Sequence, residues 1–361
     1  MNNDNSEQGA KAVTTKTDPG NFFEDFKLGQ RLVHATPRTV TAGDVALYTA
    51  LYGPRFSLFS SEEFAKACGL MSAPVDPLIA FHVVFGKTVP DISLNAVANL
   101  GYAEGRFLAP VFPGDTLTAV SDVIGLKENS NRKTGVVYVR TTGTNQRGEA
   151  VLSYVRWVMV RKRDEAAEIA EQAVPTLSTA VAPADLVLPA GLDVSGYDWA
   201  LAGAPHAFED YEIGEKIDHV DGMAVEEAEH QMATRLWQNT AKVHFNQFER
   251  AHDPSGRRLV YGGVVISTAK ALSFNGLQNA GLILAINGGR HVNPFFAGGT
   301  VFAWSEVLDK ADLGSVGALR LRLVATKDAP CAEFPDKGAE GVYDSAVILD
   351  FDYWAAVPKR D

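Results

Sequence analysis

Phe23-Glu24-Asp25-Phe26-Lys27-Leu28-Gly29 reappears further along the chain as Phe208-Glu209-Asp210-Tyr211-Glu212-Ile213-Gly214, an offset of 185 residues. Two more landmarks follow in the same order. Pro110-Val-Phe-Pro-Gly114 answers Pro294-Phe-Phe-Ala-Gly298 at an offset of 184, and Trp157-Val-Met-Val-Arg-Lys-Arg163 answers Trp354-Ala-Ala-Val-Pro-Lys-Arg360 at 197. Three landmarks in one order at nearly one spacing mark a duplicated fold. Any motif in one copy can therefore be checked against its opposite number.

Each copy follows its aromatic-acidic turn with a helical pattern. Thr41-Ala-Gly-Asp44 reads as a capping box ahead of Val45, Leu47 and Tyr48. In the second copy Val225, Ala228, Met232 and Leu236 recur at helical spacing from Val225 to Trp237. Glu226, Glu227 and Glu229 crowd that helix's first turn, where carboxylates complement the macrodipole and face water. Next comes a run of small and branched apolar residues, Pro77 to Val89 and Gly263 to Leu277. A run with no polar face predicts a helix buried on nearly all sides.

Strands complete each copy. Thr116 to Ile124, Gly135 to Thr142 and Ala150 to Val160 alternate or run apolar between turn signals; their counterparts are Thr300 to Leu308, Gly317 to Ala325 and Ser345 to Val357. Helices followed by antiparallel strands make an α+β fold, a sheet wrapped around one buried helix in each copy. Residues 164–205 are rich in Ala and Pro and read as the linker, with a helical start over Asp164 to Gln172. Residues 1–20 are polar, without an apolar stretch, and read as a disordered leader.

Composition narrows the function. A formal charge of −11 without a Lys/Arg cluster argues against nucleic acid or an anionic membrane as partner. No apolar run approaches the roughly 20 residues of a membrane span. The two cysteines, Cys68 and Cys331, supply neither a disulfide framework nor a zinc spacing. No GxGxxG or P-loop is present, so no nucleotide cofactor is indicated. A cytoplasmic protein fits these features best.

Arg106-Phe-Leu-Ala-Pro-Val-Phe-Pro-Gly-Asp-Thr-Leu117 closely resembles the strand signature of the MaoC-like dehydratases, a hotdog-fold family acting on acyl thioesters. The resemblance covers both copies. It implies two tandem hotdog domains, residues 21–163 and 206–361, and a cofactor-free, metal-free hydratase whose substrate is an acyl-CoA. It also allows a homodimer of such chains. Members of the family carry a glycine-aspartate-x-asparagine-proline-apolar-histidine segment that supplies the catalytic pair, and a histidine-glycine-apolar step at the start of the buried helix.

The two copies differ at those positions. The first reads Gly53-Pro54-Arg55-Phe56-Ser57-Leu58-Phe59, which places Pro54 and Phe59 where proton-transfer groups belong. The second reads Gln238-Asn239-Thr240-Ala241-Lys242-Val243-His244, which keeps the histidine and holds Asn239 at the acid position. Its helix-start step reads Tyr261-Gly262-Gly263-Val264, with Gly263 in the glycine position. One active site, in the second copy, is implied.

Hydration of a thioester-conjugated C=C needs a base for water, a donor for the enolate oxygen and a proton for the α-carbon. His244 suits the base and the Gly263 N–H the donor, since a helix N-terminus presents free N–H groups to developing negative charge. Asn239 can position water but cannot carry a proton. Glu249 and Asp253 are the acids nearest in sequence. Tyr261, Gly262 and Val264 are the expected substrate contacts. His291 and His252 match no motif, and Arg55, Arg106 and His82 of the first copy are weak candidates for a substrate carboxylate. Asparagine-threonine at the aspartate step resembles the branch of the family that acts on mesaconyl-CoA, so the expected reaction is hydration of a short, branched or dicarboxylic enoyl-CoA. An (R)-specific hydratase for linear chains, a hotdog thioesterase and a non-catalytic acyl-CoA-binding subunit remain alternatives.

Overall fold

A computed structural model describes residues 16–169 and 171–360. The first copy contributes β1 (Arg31–Thr39), β2 (Ala96–Phe107), β3 (Thr116–Glu128), β4 (Thr134–Thr144) and β5 (Ala150–Arg161). The second contributes β6 (Lys216–Asp218), β7 (Met223–Ala224), β8 (Leu282–His291), β9 (Thr300–Asp312), β10 (Val316–Lys327) and β11 (Val347–Pro358). They form one antiparallel sheet ordered β1-β3-β4-β5-β2-β8-β11-β10-β9-β6, with β7 beside β9. Read from its centre outward the order is the same in both directions, so the duplication becomes a pseudo-two-fold axis. That axis passes between β2 and β8, which pair through Tyr102 opposite Gly289 and Arg106 opposite Ala285.

The buried helices form as their composition predicts. Pro77–Thr88 is buried at every residue, and its N-cap Asp76 accepts a hydrogen bond from the Leu78 N–H at 2.9 Å. Gly262–Leu272 is buried from Gly263 onward. The first helix packs on β1, β3 and β5 and the second on β9, β10 and β11. The two touch where His82 Nε2 meets Ser267 Oγ at 2.8 Å. Those residues lie 185 positions apart, so they are one site of the repeat meeting itself. Trp237 of the second copy lies against His82 and Tyr48 of the first, with ring centroids 5.0 and 6.0 Å away. One apolar core therefore runs through both halves.

The turns that open each copy serve as matched clamps. The rings of Phe23 and Phe208 pack against Gly135 and Gly317, where any Cβ would overlap them. Asp25 pairs with Arg163, and Asp210 with Arg360. A further repeat, His34 to Ser121 at 2.7 Å and His219 to Ser305 at 2.8 Å, passes unnoticed in the sequence because the flanking residues differ.

Two expectations are corrected, and two strands were not foreseen. No helix occupies the described residues of 164–172; Ala173 instead bridges to Leu126, and the linker runs on as a strap to Val181, whose carbonyl accepts from the Trp354 indole at 3.1 Å. Of the expected leader, residues 1–15 lie outside the described residues, while the Pro19 carbonyl accepts from the Asn95 amide and Gly20 is buried. The central strands β2 and β8 carry no clear signal, because Gly101, Gly105, Gly288 and Gly289 break the apolar pattern. Among the described residues no helix is long and apolar enough to cross a membrane.

Candidate active site

Between the halves lies a cavity of about 280 Å³. The second copy lines one side with Asn239, His244, Tyr261, Gly262 and His291; the first lines the other with Phe85, Ser93, Asn99, Tyr102 and Arg156. No Asp or Glu is among the lining residues.

The segment carrying Asn239 follows the helix Glu227–Leu236, whose N-terminus is closed by the Glu226 N–H donating to Glu229 at 3.0 Å. That settles the glutamate cluster as a helix cap. Gln238 takes a left-handed φ of 54° and turns the chain inward. Asn239 is buried, its N–H donates to the Thr234 carbonyl, and its Oδ1 accepts from the Ala241 N–H at 3.1 Å. With the oxygen occupied, the amide Nδ2 is left as a donor that has no partner among the described residues.

His244 sits on a single helical turn, Lys242–Phe245. Its Nδ1 lies 2.8 Å from the Leu259 carbonyl, which can only accept, so Nδ1 carries the proton and Nε2 keeps its lone pair. No described group bonds Nε2. Burial pushes the imidazole down to about 4, against the opposing pull of the Leu259 carbonyl, so the ring is neutral at pH 7. His291 is likewise held at about 4 by burial, with His244 adding to the effect, and its buried Nε2 has no partner.

Tyr261 caps the central helix; its N–H donates to His230 Nε2 at 3.0 Å and its hydroxyl lies 3.4 Å from His82 Nδ1. Gly262 and Gly263 open the helix, and no described group accepts from either N–H. The two glycines do different jobs. Gly262 lines the cavity, and a Cβ there would overlap the His291 ring; a Cβ at Gly263 would overlap the Tyr261 and His82 rings. Gly262 therefore belongs to the cavity lining, and Gly263 packs against the Tyr261 and His82 rings. Either glycine satisfies the helix-start pattern in the sequence.

Asn239, His244, Tyr261 and Gly262 thus come together, while Gly263 and Val264 lie outside the cavity lining. Glu249 and Asp253 also lie outside it, and Asp253 pairs with Arg250. Arg55 stacks on Phe274 at 4.5 Å, and neither Arg106 nor His82 lines the cavity. His291, which no motif marks in the sequence, lines the cavity as well. A cation, Arg156, is among the lining residues and is fully buried in the wall. Its signal was in the sequence: a lone charge in the apolar run Val151 to Val160, at the position that Tyr353 occupies in the second copy. Among the described residues no group of three or more His, Cys, Asp or Glu is placed to hold a metal ion.

A family model described as mesaconyl-CoA hydratase matches residues 5–330. The chain is 65% identical over 346 residues to a mesaconyl-CoA hydratase of Cereibacter sphaeroides, covering 95% of this chain and all of that one. It is 60% identical over 351 residues to a β-methylmalyl-CoA dehydratase of Chloroflexus aurantiacus, covering 96% and all of that protein. Among solved structures, a MaoC domain protein dehydratase from Chloroflexus aurantiacus superposes with a TM-score of 0.94 at 60% identity, over 96% of this chain and all of that one. A Mycobacterium tuberculosis protein with a double hotdog fold superposes with a TM-score of 0.73 at 26% identity, over 93% and 98% of the two chains. The fold is a double hotdog.

Proposed function

The chain belongs to the mesaconyl-CoA hydratase family, and from that premise we propose that it adds water reversibly across the C=C of mesaconyl-CoA to give β-methylmalyl-CoA at the cavity between its halves. The observation that carries the mechanism is the bare Nε2 of His244 in one cavity with the unpaired N–H of Gly262.

His244 Nε2 takes a proton from water, and the hydroxide oxygen bonds to the β-carbon. The π electrons move to the thioester carbonyl oxygen, which becomes an enolate. That oxygen accepts from the Gly262 N–H, where the positive end of the central helix favours the charge. His244 then returns its proton to the α-carbon, so H and OH have both been added and the base is regenerated. With no carboxylate in the lining, one imidazole serves as both base and acid. The Asn239 Nδ2 donor holds the water's oxygen. The thioesterase alternative lacks a carboxylate nucleophile or base at this site.

The test is incubation with mesaconyl-CoA and crotonyl-CoA, following loss of conjugated-thioester absorbance together with free thiol. Hydration favouring mesaconyl-CoA, without thiol release, is expected. Thiol release without hydration would overturn the reading. Asn239→Asp adds a sharper result: it replaces the donor with a second carboxylate beside the substrate's own. Like charges at close quarters cost several kcal/mol, so kcat/KM for mesaconyl-CoA should fall about 100-fold or more, and less for crotonyl-CoA. A rise on both substrates would sink the role given to Asn239.

A further inference from the structure

Arg156 is fully buried on β5, yet no carboxylate lies within ion-pair distance of it among the described residues. Its Nη2 donates to Thr88 Oγ1 at 2.6 Å, Nη1 and Nη2 lie 3.5 and 3.4 Å from Ser93 Oγ, and the guanidinium sits 4.3 Å over the Phe85 ring. Nε is buried with no partner. Every group it touches is neutral. A guanidinium stays charged, and a buried charge without a counter-ion costs several kcal/mol. A second orphan lies in the same lining: both amide atoms of Asn99 are buried and unpartnered. Two side chains with unpartnered polar atoms, one of them cationic, thus belong to the first-copy part of the lining.

We propose that Arg156, with Asn99 beside it, receives the free carboxylate of a dicarboxylic enoyl thioester and so selects against monocarboxylic acyl chains. The proposal rests on the hydratase reading, and the placement agrees with its chemistry. In mesaconyl-CoA the carbon that takes the hydroxyl also bears the free carboxylate, and the thioester carbonyl lies at the other end of the C=C. Both residues line the one cavity, Gly262 from the second copy and Arg156 from the first. Holding the carboxylate there fixes which carbon meets the water on His244. It also explains why the first copy, having no dyad, keeps a charge where the second has Tyr353.

Binding and turnover together test this. Calorimetry with succinyl-CoA and butyryl-CoA, neither of which can be hydrated, compares a chain with and without the carboxylate. Wild type should prefer succinyl-CoA, and Arg156→Met should reduce the preference by about 100-fold, as expected for a charged hydrogen-bonded pair. The ratio of kcat/KM for mesaconyl-CoA over crotonyl-CoA should fall by a similar factor, with partial recovery in Arg156→Lys. If the methionine variant does not fold, Asn99→Leu, which removes no charge, should still reduce the succinyl-CoA preference several-fold. Equal losses on both ligands, or an unchanged preference, would overturn the subsite. A wild type that discriminates the ligands through Arg156 but hydrates nothing would leave the subsite standing and defeat the hydratase reading.

Discussion

Replacing His244 by alanine should lower kcat for mesaconyl-CoA hydration by about 10³-fold or more, near the upper range for loss of a general acid–base group. The effect is large because one ring does two jobs. No carboxylate lines the cavity, and in the proposed mechanism His244 both takes the water's proton and returns it to carbon. His244→Asn keeps an amide donor at the Nδ1 position, toward the Leu259 carbonyl, but has no basic nitrogen, and it should lose as much. Circular dichroism on both variants checks that the fold is intact. The pH profile carries the sign: the base works when unprotonated, and burial holds its pKa at about 4. The kcat/KM of the wild type should therefore stay level as pH falls through the ordinary histidine value of about 6.5 and drop only near 4 to 5. Retention of turnover in His244→Ala, or an acidic limb centred on 6.5, would remove His244 from the role.

Gly262→Ala should lower kcat by about 100- to 1000-fold, as loss of one oxyanion donor does. Alanine keeps the N–H, so the effect must come from position. Its Cβ would overlap the His291 ring, and either the ring or the helix start has to move. Displacing a donor by about 1 Å can cost about 100-fold. Removing the obstacle isolates the cause: Gly262→Ala with His291→Ala should recover most of the rate of His291→Ala alone. Gly263→Ala should act differently, lowering the melting temperature through its clash with the Tyr261 and His82 rings. A rate loss confined to Gly263→Ala would return the donor to that residue.

Much of the fold was legible because the chain states it twice. The capping box at Thr41 forms as read, with the Asp44 carboxylate accepting from the Thr41 N–H at 2.7 Å. The two apolar runs are buried helices, and the six predicted strands are all present. The seam was not legible. In β2 and β8 glycine stands where Trp157, Ile286 and Tyr102 press against the backbone, and such closeness leaves no local pattern to read. The helical start expected at Asp164 gave way to a turn in which the Lys162 ammonium binds the Glu165 and Ala167 carbonyls.

By itself the sequence determined the duplication and the α+β class, since these rest on local patterns that can be compared copy against copy. His244 and Asn239 became candidates where the segment of the family it resembles was matched to each copy. Only the tertiary structure decided that Gly262 rather than Gly263 faces the cavity, that Glu249 and Asp253 stay out of it, and that Arg156 and Asn99 enter it from the other half. The physical reason is distance along the chain. Burial, hydrogen-bond partners and the cost of an unpaired charge are set by residues scores of positions away, and Arg156 is 88 residues from His244. What each residue touches exists only after β2 and β8 have paired and closed one cavity from two copies.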